Sequence, residues 1–166
     1  SQKDGFNISF KEINKRITNK TKAIILPYMF GFPTNINKIM SLGIPVIEDC
    51  TLSLGGKYKG KLMGTFSDTM ICSFYATKVI TGGDGGILLT NNKDIYESAI
   101  NHRYYGHKKQ HKYLAYNYHT TNLPASLVNS QFTQLNKFIK KRKKIASIYD
   151  KYFLNIPEIN INFKNK

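Results

Sequence analysis

The chain has 166 residues, with 25 Lys and Arg against 10 Asp and Glu, for a formal charge of +15. That length suits one domain or one layer of a larger one. A mixture of 41% hydrophobic and 21% charged residues is ordinary for a globular protein and excludes a disordered tail or a collagen-like repeat.

Ser9 opens the first predicted element, a helix whose Phe10, Ile13 and Ile17 share one face. The apolar run Ala23-Ile24-Ile25-Leu26 follows. Ended by Pro27 and the turn-rich Gly31-Phe32-Pro33-Thr34-Asn35, it reads as a strand covered on both faces. A short helix from Ile36 to about Ser41 closes at Gly43 in the capping role, and a second buried strand runs Ile44-Pro45-Val46-Ile47-Glu48-Asp49. Strand, helix, strand implies a parallel pair with a right-handed crossover. Two further strands, Thr69-Met70-Ile71-Cys72-Ser73-Phe74-Tyr75 and Gly86-Ile87-Leu88-Leu89-Thr90, flank the glycine run at residues 82–85. After Asn92 the pattern turns helical, with Ile95, Ala99 and Ile100 on one side. An irregular aromatic and basic stretch then reaches about Thr121, and two helices, about 124–135 and 136–154, complete the α/β pattern.

No apolar run approaches the ~20 residues of a membrane-spanning helix. Residues 1–5 hold no apolar signal core, so the expected location is cytoplasmic, with no membrane partner. Cys50 and Cys72 lie in apolar runs and read as reduced, buried thiols. The densest basic run, Lys140 to Lys144, falls within the amphipathic period Leu135, Phe138, Ile139, Ile145, Tyr149, so a solvated helix face is preferred and no nucleic-acid partner is expected. His102, His107, His111 and His119 have no cysteine or carboxylate cluster beside them, and no metal site is expected.

In open α/β sheets ligands bind at the carboxyl ends of strands, which directs attention to Glu48-Asp49 and to Ser73 through Lys78. A carboxylate closing an apolar strand needs a cation or a set of donors. Alone, a strand-end Asp caps a turn and a loop Lys is solvated; Asp49 and Lys78 together with the glycine run carry more.

Thr21 to Gly86 resembles the pyridoxal-phosphate-dependent sugar aminotransferases of the DegT/DnrJ/EryC1/StrS family. The matching stretches are Lys22-Ala23-Ile24-Ile25-Leu26-Pro27 with Gly31-Phe32-Pro33; Gly43-Ile44-Pro45-Val46-Ile47-Glu48-Asp49-Cys50; Tyr58-Lys59-Gly60-Lys61 with Gly64-Thr65-Phe66-Ser67-Asp68; and Ser73-Phe74-Tyr75-Ala76-Thr77-Lys78 with Gly82-Gly83-Asp84-Gly85-Gly86. Tyr116-Asn117-Tyr118 and the closing basic helix extend the resemblance over nearly the whole chain, and Thr121-Asn122-Leu123 is similar to the perosamine-synthase branch. The resemblance implies a three-layer, fold type I large domain with a mostly parallel sheet, incomplete within these residues. The sheet region is expected at about 20–90 and the helical region at about 92–155. The family's phosphate-binding glycine/threonine turn and its small C-terminal domain are expected to lie outside the chain.

By the same resemblance Lys78 is catalytic, forming a Schiff base with pyridoxal 5'-phosphate and then shuttling a proton, which needs an amine able to lose its charge. Asp49 pairs with the pyridine nitrogen, Thr51 lies against the ring, and Ser73 bonds the phosphate. Asn117 reaches a phosphate across a subunit interface, so the expected partner is a second copy in a homodimer or a complementing split chain. The implied reaction transfers an amino group from glutamate to a nucleotide-linked keto-sugar, for amino sugars and surface polysaccharides. Lys78 argues against the family's dehydratase offshoot, which has histidine there. The basic loop from Arg103 to Tyr113 fits the phosphates of a nucleotide-sugar. Leu52 replaces the usual glutamine near the ring hydroxyl, and His119 replaces an arginine, exchanging a permanent charge for a titratable one. Two other readings stay open: a catalytically inactive truncated or split relic, and a basic polyanion-binding protein.

Overall fold

The computed structural model describes residues 6–103, 105 and 114–159. His107 and His111, with most of the basic loop, lie outside the described residues. Ser9 caps α1 (Phe10–Arg16), its hydroxyl accepting the Glu12 N–H at 3.2 Å. Then come β1 (Ile24–Pro27), a 3-10 turn (Met29–Gly31), α2 (Ile36–Met40) and β2 (Val46–Asp49). A hairpin of β3 (Lys57–Tyr58) and β4 (Lys61–Leu62) precedes β5 (Thr69–Ser73), β6 (Gly86–Thr90), α3 (Lys93–Arg103), α4 (Asn122–Phe132) and α5 (Leu135–Phe153). Among the described residues no helix is long and apolar enough to cross a membrane.

The main sheet has the order β1-β2-β5-β6, parallel across the first three strands and antiparallel at β6. Leu26, Glu48 and Met70 are in register across it, and side-chain alternation puts them on one face with Val46, Cys50 and Cys72. That face meets Ile13 of α1 and Ile36 and Ile39 of α2 in the core. Ile25, Ile47, Asp49, Ile71 and Ser73 fall on the opposite face. Ile25 is 63% exposed, so β1 is covered on one face among the described residues, not on both as its unbroken apolar run implied. A run of four apolar residues gives no alternation from which the open side can be read. The small hairpin was also missed. Its turn, Tyr58-Lys59-Gly60-Lys61, has positive φ at Lys59 (48°) and Gly60 (82°), the geometry that matches strand twist.

Cys50 and Cys72 are free and buried, as expected. Burial is the main cause that pushes their thiols up, to about 12 for Cys50 and about 11 for Cys72. Iodoacetamide at about pH 8 will therefore leave both unlabelled in the native protein and label both in urea, as mass spectrometry will read. Because the folded thiols ionise later than the unfolded ones, stability is unaffected below about pH 9 and falls as pH climbs from there toward about 12.

Candidate active site

Alternation sends the adjacent Glu48 and Asp49 to opposite faces, and the two do different work. Glu48 is fully buried and its carboxylate accepts from five donors. Tyr28 Oη (2.7 Å) and Gly64 N–H (2.7 Å) meet Oε2; Phe66 N–H (2.8 Å), Ser67 N–H (2.7 Å) and Ser67 Oγ (3.1 Å) meet Oε1. Burial, then the bond to Glu48, raises the Tyr28 hydroxyl well above its ordinary value, so it remains a donor. The clamp fixes the turn at residues 64–67 against the end of β2. Gly64 sits there at φ +88°, and a Cβ would stand 2.8 Å from Cys50 Sγ. Gly64→Ala is expected to destabilise by about 2–3 kcal/mol in urea titration, from backbone strain and overpacking together.

On the other face, Asp49 Oδ1 accepts the Thr51 N–H at 2.9 Å, which sets the carboxylate rotamer and leaves Oδ2 for another partner. Thr51 Oγ1 accepts the Ser73 N–H at 3.2 Å, and Ser73 Oγ accepts the Tyr75 N–H at 3.2 Å. These bonds tie the carboxyl ends of β2 and β5 into one line. The loop beyond Ser73 folds back: the Lys78 N–H donates to the Tyr75 carbonyl at 3.0 Å, while the Phe74 carbonyl accepts the Gly82 N–H and the Thr81 hydroxyl, both at 2.9 Å. The Thr81 N–H in turn donates to Gln131 Oε1 at 3.0 Å, anchoring the loop to α4.

After burial, the charge of Asp49 raises the pKa of the Cys72 thiol and the charge of Lys78 lowers it. Asp49 ends β2 and Lys78 lies in the loop after β5, so both belong to the carboxyl-end side of the sheet, where open α/β sheets bind ligands. Lys78 is half-buried and Leu52, where the resemblance expects a hydrogen bonder, is 38% exposed.

Asn117 sits apart, in a cleft of about 430 Å³ that it lines with Asp84, Gly85, Gly86, His119 and Thr121. Gly86 pairs with Ser73, so this cleft adjoins the same sheet end from beyond β6. Asn117 Oδ1 lies 2.7 Å from His119 Nδ1.

Two features escaped the sequence reading. The Glu48 clamp had a signal, since a second carboxylate beside Asp49 in an apolar strand must point to the other face. Phe30 had none. It holds φ 54°, ψ 22° just past β1, is 60% exposed, and meets Phe6 edge-on at 4.7 Å between ring centres. Buried Asn7 steadies this turn by accepting the Met29 N–H at 2.8 Å and donating to the Phe32 carbonyl at 2.7 Å.

Comparison with known proteins identifies the fold and the family. The chain is 35% identical over 173 residues to the GDP-perosamine synthase of Escherichia coli O157:H7, covering 99% of this chain and 48% of that protein. It thus spans about half the length of that relative. The structure of Helicobacter pylori PseC, an aminotransferase involved in the biosynthesis of pseudoaminic acid, superposes with a TM-score of 0.84 at 26% identity, over 91% of this chain and 43% of that one. The E. coli GDP-4-keto-6-deoxy-D-mannose-3-dehydratase, solved with bound hydrated PLP, shares the fold with a TM-score of 0.81 at 22% identity, over 93% and 46%. The family model that matches spans residues 1–166, and the chain belongs to the DegT/DnrJ/EryC1/StrS aminotransferase family.

Proposed function

We propose that the chain is the central part of the large domain of an aminotransferase that moves an amino group from glutamate to a nucleotide-linked keto-sugar, in cytoplasmic amino-sugar and surface-polysaccharide biosynthesis. The observation that carries this is the joining of two neighbouring strand ends, Asp49 of β2 to Ser73 of β5 through Thr51, with Lys78 in the loop that follows Ser73. The residues fit pyridoxal phosphate, the cofactor of the family. Asp49 keeps Oδ2 for a ring N–H, Lys78 offers an amine, and Ser73 offers a hydroxyl.

When bound, the cofactor supplies an electron sink for breaking a carbon–hydrogen bond next to nitrogen. Lys78 Nζ would be the amine that holds the cofactor and, when free, the base that would carry a proton to and from the substrate carbon. Asp49, with Oδ2 not used by Thr51, would keep a proton on the ring nitrogen. Thr51, held by its bond to Ser73, flanks the ring, and the Ser73 hydroxyl donates to the phosphate. Asn117 donates to the phosphate bound by a second copy or a complementing chain, so the working unit is a homodimer or its split equivalent.

The test is turnover by the intact protein with glutamate and a nucleotide-linked keto-sugar, read as 2-oxoglutarate release and amino-sugar mass. Asp49→Asn is expected to lower kcat by about 10²-fold or more with folding intact, because a neutral amide cannot hold the ring proton. Wild-type turnover in that variant would remove Asp49 from the site. Leu52 and His119 favour a second reading, an inactive relic, and the absence of product at saturating cofactor would select it.

A further inference from the structure

The segment carrying Asn117 is laid against the end of α3. The Tyr116 N–H donates to the His102 carbonyl at 3.0 Å and the Tyr118 N–H to the Arg103 carbonyl at 2.8 Å, and the rings of Tyr116 and Tyr118 stack 4.9 Å apart. The backbone around Asn117 is therefore fixed, and the freedom left to its side chain is mainly which end of the carboxamide faces the cleft. That choice belongs to His119, whose Nδ1 lies 2.7 Å from Asn117 Oδ1. A carboxamide oxygen only accepts, so this contact requires a proton on Nδ1 and turns Asn117 Nδ2, with its two N–H donors, away from the ring. A neutral imidazole can carry its proton on Nε2 instead. Nδ1 then accepts, the amide reverses, and an oxygen faces outward. The imidazolium carries protons on both nitrogens and leaves one bonded orientation, with Nδ2 outward.

We propose that His119 is a positioning residue for Asn117: protonated, it holds the carboxamide with Nδ2 facing out as a donor to a phosphate oxygen. The inference rests on the reading of Asn117 as a phosphate ligand and adds a titrating control to it. Among the described residues, the other charged groups on the neighbouring elements are these. Asp84, in the turn before β6, lines the same cleft, opposes an incoming anion, and accepts the Gly85 N–H at 2.7 Å. At the end of α3, His102 Nδ1 lies 2.7 Å from the Ser98 carbonyl, and Arg103 follows it. The first turn of α4, Asn122-Leu123-Pro124, carries no charge. None of these changes when residue 119 is replaced, so a difference between variants reports His119.

The experiment measures binding of pyridoxamine 5'-phosphate to the intact protein by calorimetry at about pH 6 and about pH 8.5, either side of the ordinary histidine titration. Wild type is compared with His119→Phe and His119→Asn, and the ratio between proteins cancels the ligand's own titration. At the lower pH wild type is expected to bind roughly three- to tenfold tighter than His119→Phe, the share of one hydrogen bond. At the higher pH that ratio narrows, while His119→Asn, uncharged and able to donate or accept at either pH, keeps a constant ratio to His119→Phe. A wild-type advantage equal at both pH values overturns the proposal. Asn117→Ala tests the underlying reading separately: unchanged affinity removes Asn117 as a phosphate ligand. The nitrogen shifts of the Asn117 amide and the His119 ring then still decide the coupling. Joint movement with pH supports it and independent movement overturns it.

Discussion

Lys78→Ala will leave the intact protein folded and reduce turnover by at least about 10³-fold, the range that a positioned proton-transfer group supplies. It will also remove the long-wavelength absorption of a lysine-bound cofactor, leaving the spectrum of free pyridoxal phosphate. Lys78→Arg separates the two properties of the side chain. Arginine keeps the positive charge but never gives up its proton at accessible pH, so it can neither bond the cofactor carbon nor relay a proton, and it is expected to be as inactive as alanine. If either variant keeps the wild-type spectrum, the amine that holds the cofactor is another one.

Glu48→Gln is expected to be the most damaging conservative change in the core. Three of the five groups that meet the carboxylate are backbone N–H groups that can only donate, so an amide in either orientation sets its NH₂ against at least one of them and gives up the charge that strengthens the rest. The expected loss is about 3 kcal/mol, a fall in Tm of roughly 6–12 °C for a chain of this size, read by circular dichroism. Tyr28→Phe removes one donor and leaves the other four, and should cost about 1 kcal/mol. A Glu48→Gln protein within about 1 kcal/mol of wild type would mean that the turn at residues 64–67 is held by packing instead. In the intact enzyme the same variant should weaken cofactor binding, because the turn braces the strand whose last residue is Asp49.

Much of this architecture was legible beforehand because its signals are local. Ser9 caps the helix its position predicts; Ala23 to Leu26 and Ile44 to Asp49 give strands displaced by one or two residues at their ends; Ile95, Ala99 and Ile100 mark α3. Strand ends moved because pairing decides them: β2 begins at Val46, opposite Ile24, where the neighbour has a residue to offer. The hairpin at Tyr58 to Lys61 is too short for alternation to show, and the antiparallel direction of β6 follows from a loop path that no single residue encodes.

The candidate site divides in the same way. Side-chain chemistry is carried by the sequence, so a carboxylate after one apolar strand and a lysine after another could be named, and the family they resemble could be recognised from their setting. Whether the two meet depends on β2 and β5 being neighbours in the sheet, a long-range pairing that periodicity does not report. The same holds for the opposite fates of Glu48 and Asp49. Alternation separates them, but which of the two enters the core is settled by where α1 and α2 pack. Residue identity and local periodicity therefore determined the elements and the chemistry on offer. Strand order and the choice of buried face, set by the collective burial of apolar surface, decided which carboxylate is clamped and which is left on the opposite face at the carboxyl end of β2.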